Sequence, residues 1–318
     1  MIKIFVIPEH YYTVFVAGFI RDLVLGLQKK DWIIVPTKII KKDIVSDIKA
    51  FLEIDHIDII SFYLVRKDII KAWKSESFDK NTLKVLITED VHSAEDKFVI
   101  RKMCSSGLDY IFARYHEATK SVIPNVNIPI ISFPQGATKE FVQPIRFNKK
   151  IKKALLSGAV EEDVYLLRHK AQELVNTGYQ FINQRKHPGY DKKLDPLKET
   201  KNYSLDINKY LIAIADCVVL VKSPYIVAKH FEIPLSGTLM LTHEKAKKNL
   251  EELGFIEGIH YIATNESKLK ETIEFWLADS QSKKALEIIK NGQKLVKSKH
   301  MNYMRTDFFD KKTIQLYK

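Results

Sequence analysis

Short runs of β-branched and aromatic residues alternate with longer stretches of helical period along almost the whole chain. This alternation limits the fold more than any other feature, because buried strands separated by helices assemble into parallel sheets covered by helices. In the first half the spacing predicts strands at Ile2–Ile7, Trp32–Val35, Ile57–Tyr63, Leu83–Thr88, Tyr110–Ala113 and Ile128–Phe133. Helices are predicted between them near Val14–Gln28, Lys41–Leu52, Asp68–Trp73 and Phe98–Cys104. A second set of strands is predicted at Ala154–Leu156, Gln180–Ile182, Leu211–Ala215, Cys217–Val221, Thr238–Thr242 and His260–Ala263. Its helices fall near Val164–Asn176, Lys245–Leu253, Lys268–Leu277 and Lys283–Ser298. The expected fold class is α/β.

With 318 residues the chain exceeds one ordinary core of about 100–150 residues, so two domains are expected. Pro134 and Pro144 bracket a turn-rich stretch, and the Lys149-Lys150 and Lys152-Lys153 clusters precede a fresh strand, which sets the boundary near residue 147. The expected domains are 1–147 and 148–301, followed by a last helix over 302–318. The polar segment His187–Asn202, with Pro188, Gly189, Asp195 and Pro196, reads as the longest loop.

Lys and Arg outnumber Asp and Glu by 51 to 39, a formal net charge of +12 that attracts polyanions, anionic lipid or phosphorylated substrates. No zinc-finger spacing, aromatic-glycine RNA motif or basic heptad accompanies that charge, so nucleic acid is not the expected partner. The two cysteines, Cys104 and Cys217, sit apart among apolar residues and suit a reducing compartment. The nearest candidate for a membrane span, Val14–Leu27, is interrupted by Arg21 and Asp22, and the N-terminus opens on a strand pattern. A cytoplasmic location is expected.

Open α/β sheets bind ligands beyond the carboxyl ends of their strands. After the first strand stands Pro8-Glu9-His10-Tyr11-Tyr12, and after the fourth Thr88-Glu89-Asp90-Val91-His92-Ser93. Asp90 and His92, with His10 as a third candidate, carry the groups that take a proton from a hydroxyl. In the second half Leu155-Leu156-Ser157-Gly158 runs into a helix whose start offers backbone amides and Arg168 to a phosphate. His187-Pro188-Gly189-Tyr190 forms a tight turn flanked by an imidazole and a phenol. Lys229-His230-Phe231-Glu232, followed by Ser236-Gly237 and an apolar run, has the charges to hold a phosphate on Lys229 and a sugar diol on Glu232, with Gly237 permitting close approach. No Gly-x-Gly-x-x-Gly or Gly-Lys-Ser/Thr element occurs, which disfavours Rossmann dinucleotide and P-loop binding. No Asp-x-Asp follows a predicted strand, so chemistry without a metal or other cofactor is expected.

In order along the chain, Phe133-Pro134-Gln135-Gly136-Ala137-Thr138-Lys139-Glu140-Phe141-Val142-Gln143-Pro144, Leu155–Gly158 with Tyr165–Arg168, His187–Tyr190, Lys229–Glu232 with Ser236-Gly237, and His300 with Arg305 resemble GT-B glycosyltransferases of the group 1 type. Within that group they are similar to the branch of spore-maturation glycosyltransferases. The resemblance runs from about Ser132 to Arg305 and is only topological before that. It implies two Rossmann-like domains facing a cleft, the donor on the C-terminal one, the acceptor on the N-terminal one, and a last helix crossing back to the first domain. By position, Glu232 would bind the donor ribose, Lys229 and Arg168 the diphosphate, and Gly158 and Gly237 would permit close backbone approach. His187, Gly189 and Tyr190 complete the expected donor set. The implied activity is hexosyltransferase-like: a sugar moves from a nucleotide-diphosphate-sugar to a glycan, lipid-linked or protein acceptor in polysaccharide or glycoconjugate biosynthesis. Peripheral contact with an anionic membrane fits the same picture. Many retaining members carry a second glutamate eight positions before the ribose-binding one; here Pro224 stands there, so the stereochemical outcome is open. The alternatives are an epimerase or hydrolase of the same fold and a non-catalytic, basic nucleic-acid-binding protein.

Overall fold

The structure, a computed structural model, describes residues 1–8, 18–63, 67–91, 93–186, 195–217, 219 and 223–318. These residues divide into two compact units. The first gathers those up to Pro134 except Gly18 and Phe19, and adds Tyr303–Lys318. Gln135–Asn302, with Gly18 and Phe19, make the second, so the division falls at Pro134 and Gln135, ahead of the expected residue 147.

A parallel sheet in the order β2-β1-β3-β4-β5-β6 forms the first unit. Its strands are β1 Lys3–Ile7, β2 Trp32–Pro36, β3 Ile59–Tyr63, β4 Leu83–Thr88, β5 Tyr110–Ala113 and β6 Ile130–Ser132. Every residue of β1 and β3 is buried, which is why both read as near-continuous apolar runs, broken only by Lys3 and Ser61, rather than alternating ones. The helices are α1 Gly18–Gln28, α2 Ile44–Leu52, α3 Lys67–Ala72, α4 Ala94–Ser105 and α5 His116–Val122. Asp43 caps α2 by accepting from the Ser46 amide, and Ser93 caps α4 by accepting from that of Asp96.

The second unit holds a parallel sheet in the order β11-β10-β9-β7-β8. Its strands are β7 Ile151–Ser157, β8 Ile182–Arg185, β9 Tyr210–Ala215, β10 Leu239–His243 and β11 Ile262–Thr264. Around them lie α6 Leu166–Asn176, α7 Pro196–Lys209, α8 Lys229–Leu235, α9 Lys247–Glu252, α10 Leu269–Leu277 and α11 Ser282–Lys299. Leu156, Leu167, Ile212, Leu241, Ile273 and Ile288 meet in its core.

The last helix, α12 Asn302–Tyr317, contributes almost wholly to the first unit. Its Phe309 is fully buried and packs 4.9 Å from Phe112, 5.5 Å from Trp32 and 5.6 Å from Phe133, ring centre to ring centre. Beside it Asp310 accepts hydrogen bonds from Lys3 Nζ at 2.9 Å and Trp32 Nε1 at 2.8 Å, tying α12 to β1 and β2.

Two expectations about secondary structure need correction. Of the predicted strand Cys217–Val221, the described residues Cys217 and Val219 are not in a strand, β9 ending at Ala215, and the other three positions lie outside the described residues. Of the predicted loop His187–Asn202, residues 196–202 belong to α7, which starts where Asp195 accepts from the Leu197 and Lys198 amides and Pro196 takes the first turn. The residues α7 buries are Thr200, Ser204 and Ile207, so the helix lacks the apolar stripe that would have announced it. The helix α5, too short for a clear period, was not predicted. Among the described residues no helix is long and apolar enough to cross a membrane.

Candidate functional site

In the second sheet β7 and β9 are neighbours, although β8 lies between them in the chain. The strand order reverses there, and a crevice for ligands opens beyond the carboxyl ends of the two strands at such a switch point. Ser157 and Gly158 end and follow β7, and Asp216 follows β9.

Gly158 has φ +91°, a conformation in which a side chain is strained. A Cβ there would lie 2.9 Å from Lys229 Cε and 3.1 Å from Arg168 Nη1, so two cations from different helices converge over the one bare position. Lys229 comes from the first turn of α8 and Arg168 from the first turn of α6.

Arg168 is 2% exposed and firmly seated. Its Nη1 donates to Ala159 O and its Nη2 to Asp216 O, each at 3.2 Å, and its guanidinium lies 3.9 Å from the Tyr165 ring centre. The Asp216 carboxylate, fully buried, accepts from the Arg168 amide at 3.0 Å and the Cys217 amide at 2.9 Å. Burial holds the Asp216 carboxyl above the usual range, with Arg168 pulling it back. The expectation that the start of α6 offers its amides to a phosphate is therefore corrected at Arg168, whose N–H is taken by Asp216.

Glu232 stands one turn beyond Lys229 on α8, half-buried, and its carboxylate makes no hydrogen bond among the described residues. Burial raises its carboxyl, opposed by Lys229 and Arg168. Between them His230 is buried and structural: Nδ1 donates to Val227 O at 3.1 Å, leaving Nε2 to accept from the Thr242 hydroxyl at 2.9 Å. Burial pushes its imidazole down to about 3, so it stays neutral.

Gly237 is not brought to this cluster. With φ +69° it ends α8, its N–H donating to Pro234 O, and a Cβ there would face Ile145, Gln293 and Asn208. His187, Gly189 and Tyr190 lie outside the described residues, as do His10 and His92.

Asp90 is exposed just past β4 in the first unit. Its neighbour Glu89 forms a 2.5 Å ion pair with Arg114, and Arg114 Nη2 donates to the Tyr63 hydroxyl at 2.8 Å. Arg114 is 5% exposed and Tyr63 1%, so a buried ionic group spans the carboxyl ends of β3, β4 and β5. Burial raises the Tyr63 phenol well above its ordinary value.

The sequence reading missed Asp216, Arg185 and Tyr203. Tyr203, on α7, hydrogen-bonds Lys229, and Arg185 at the end of β8 lies over the Tyr203 ring at 4.7 Å. The one local signal that could have found Tyr203 is Asp195-Pro196, which starts its helix about two turns earlier.

No family model matches the sequence, and no curated protein matches it. Solved structures do. A sucrose-phosphate synthase from Thermosynechococcus elongatus superimposes with TM-score 0.67 at 10% identity, over 100% of this chain and 99% of that one. HepE of Anabaena, solved with UDP and glucose, gives 0.65 at 10% identity over 98% and 99%. An alpha-glucosyltransferase in complex with UDP and a 13-mer DNA containing a HMU base gives 0.58 at 10% identity over 99% of each chain. Two parallel sheets flanked by helices, matched over the full length of these proteins, are the GT-B glycosyltransferase fold.

Proposed function

We propose that the chain is a glycosyltransferase of the group 1 type, akin to the spore-maturation branch, that takes a sugar from a nucleotide-diphosphate-sugar. The observation that carries this reading is the meeting of Lys229 and Arg168 over Gly158, with the open carboxylate of Glu232 one turn away. In the reaction the bond from the anomeric carbon to the phosphate oxygen breaks, and the nucleoside diphosphate leaves with the electron pair. Negative charge grows on that oxygen, where two preorganised cations stabilise it most. The acceptor hydroxyl forms the new bond to carbon and gives its proton to a base, the role proposed for Asp90, His92 or His10. Glu232 is the group that accepts from a pair of vicinal hydroxyls. No step calls on a metal, and transfer is expected to persist under chelation by EDTA.

Glu232→Ala is expected to weaken the binding of the preferred nucleotide sugar by about 10- to 100-fold in calorimetry, the range for a lost hydrogen bond to a charged group. Equal affinity in the variant would remove Glu232 from the site. A screen of UDP, GDP, ADP, CMP and dTDP sugars identifies the donor, because a ligand at 100 times its Kd raises stability by about 2.7 kcal/mol. A flat screen would defeat the donor-site reading.

The acceptor is proposed to be a glycan, a lipid-linked carrier or a protein, with peripheral contact to anionic membrane and a cytoplasmic site of action. A groove of about 440 Å³ along α11, lined by Lys290, Lys294, Lys297, Gln293, Ser298 and Ile145, supplies cations for such a contact. The net charge and the DNA held by one structural neighbour favour a second reading, a nucleic-acid acceptor, which steeply salt-dependent binding to DNA would support.

A further inference from the structure

Tyr203 is the centre of a polar cluster at the carboxyl ends of β7 and β8. Its hydroxyl lies 2.8 Å from Ser157 Oγ and accepts from the Lys229 ammonium, which also donates to Ser157 Oγ at 3.3 Å. The ring itself is fixed by its surroundings: Lys229 Nζ lies 4.6 Å and the Arg185 guanidinium 4.7 Å from its centre, and Phe141 packs edge-on at 5.9 Å. Arg185 is held in turn by Asp206 at 3.4 Å and Glu199 at 3.9 Å.

Lys229 and Arg168 approach the same point over Gly158, and like charges this close repel. Arg168 is locked by its two carbonyl partners, so only Lys229, on a flexible four-carbon stem, is free to swing away. Among the described residues no carboxylate lies within ion-pair distance of the Lys229 ammonium; its partners are a phenol and an alcohol. A carboxylate in their place would hold the ammonium by cancelling its charge. Two neutral hydroxyls hold it and leave the charge for an arriving anion.

We propose that Tyr203, assisted by Ser157, is a positioning residue that keeps the Lys229 ammonium beside the Arg168 guanidinium, so that the pair grips a diphosphate. The identity of the ligand rests on the donor-site reading; the positioning rests on the cluster alone.

Inorganic pyrophosphate is the probe, titrated calorimetrically into the full chain and into Tyr203→Phe, Lys229→Met and the double variant. Tyr203→Phe keeps the ring and its contacts, and an unchanged circular dichroism spectrum and melting temperature verify its fold. In parallel the lysines are ¹³C-methylated and the Lys229 signal, identified by its loss in Lys229→Arg, is compared by NMR in the wild type and Tyr203→Phe without ligand. The expected result is about a tenfold weaker affinity for pyrophosphate in Tyr203→Phe, no further loss when it is added to Lys229→Met, and a displaced Lys229 signal. Unchanged affinity, or losses that simply add, would overturn the proposal. If the wild type ignores pyrophosphate and every nucleoside diphosphate, the donor-site reading fails by itself. The NMR signal then decides the positioning: displaced in Tyr203→Phe upholds it, unmoved overturns it.

Discussion

At the scale of single residues, this chain uses buried charge in two ways. In the candidate site two cations, Lys229 and Arg168, meet above Gly158. At the other edge of the same sheet, where β7, β9 and β10 begin, a lone cation serves architecture. Lys150 Nζ donates to Asn208 O at 2.6 Å, Tyr210 O at 3.2 Å and Thr238 Oγ1 at 3.1 Å, joining three segments distant in sequence. Burial among these neutral oxygens pushes its ammonium down to about 7. Between pH 7 and the ordinary lysine range the unfolded chain carries a proton that the folded chain lacks, so stability rises with pH across that window. Below pH 7 the cost is complete. Urea denaturation of wild type and Lys150→Met is therefore expected to diverge from pH 7 to 9, the wild type gaining about 1 kcal/mol per unit relative to the variant. Parallel profiles would show that Lys150 titrates normally. The role of Lys150 was not legible from the sequence, where it reads as part of a basic cluster, because the oxygens around it come from residues some sixty to ninety positions away.

Among the elements, α12 shows how a terminal segment becomes structural. Phe309 fills a space between Phe5, Trp32, Phe112 and Phe133, and Asp310 joins Lys3 to Trp32. Phe309→Ala is expected to cost about 3–5 kcal/mol in urea denaturation, the range for a buried aromatic whose cavity closes only partly. A loss under 1 kcal/mol would show that α12 is not part of the core of the first unit. The strands were the most legible elements, since every one of the six expected in the first half is present with ends shifted by no more than a few residues. Full burial makes a strand visible as an apolar run. The helix α7 was hidden by the opposite circumstance, since the residues it buries include Thr200 and Ser204. Gly237 was visible and its setting was not: a glycine after a charged helix suits a ligand or a helix stop equally, and here its missing side chain faces Ile145 and Gln293.

For the molecule as a whole, the net charge of +12 is a property that sequence alone supplies, and it predicts behaviour toward extended anions. Co-sedimentation with vesicles containing phosphatidylserine is expected at low salt and to fade as salt screens the surface, with neutral vesicles leaving the protein in solution. Replacing Lys290, Lys294 and Lys297 by Ala is expected to reduce that partitioning by about a hundredfold, at about 1 kcal/mol per lysine near the surface. Equal binding to both kinds of vesicle, or none to either, would remove the membrane contact. The alternation of strands and helices came from the sequence, because period and burial act over a few neighbouring residues and leave their mark there. So did the candidates Gly158, Arg168, Lys229 and Glu232, whose chemistry is local. Tertiary structure alone decided their company: that Arg168 and Lys229 share the space above Gly158, that Asp216 occupies an amide of α6, and that Tyr203 holds the lysine. Strand order brings these residues together, and strand order is settled by hydrogen bonding and packing between segments far apart in the chain, which no local pattern records.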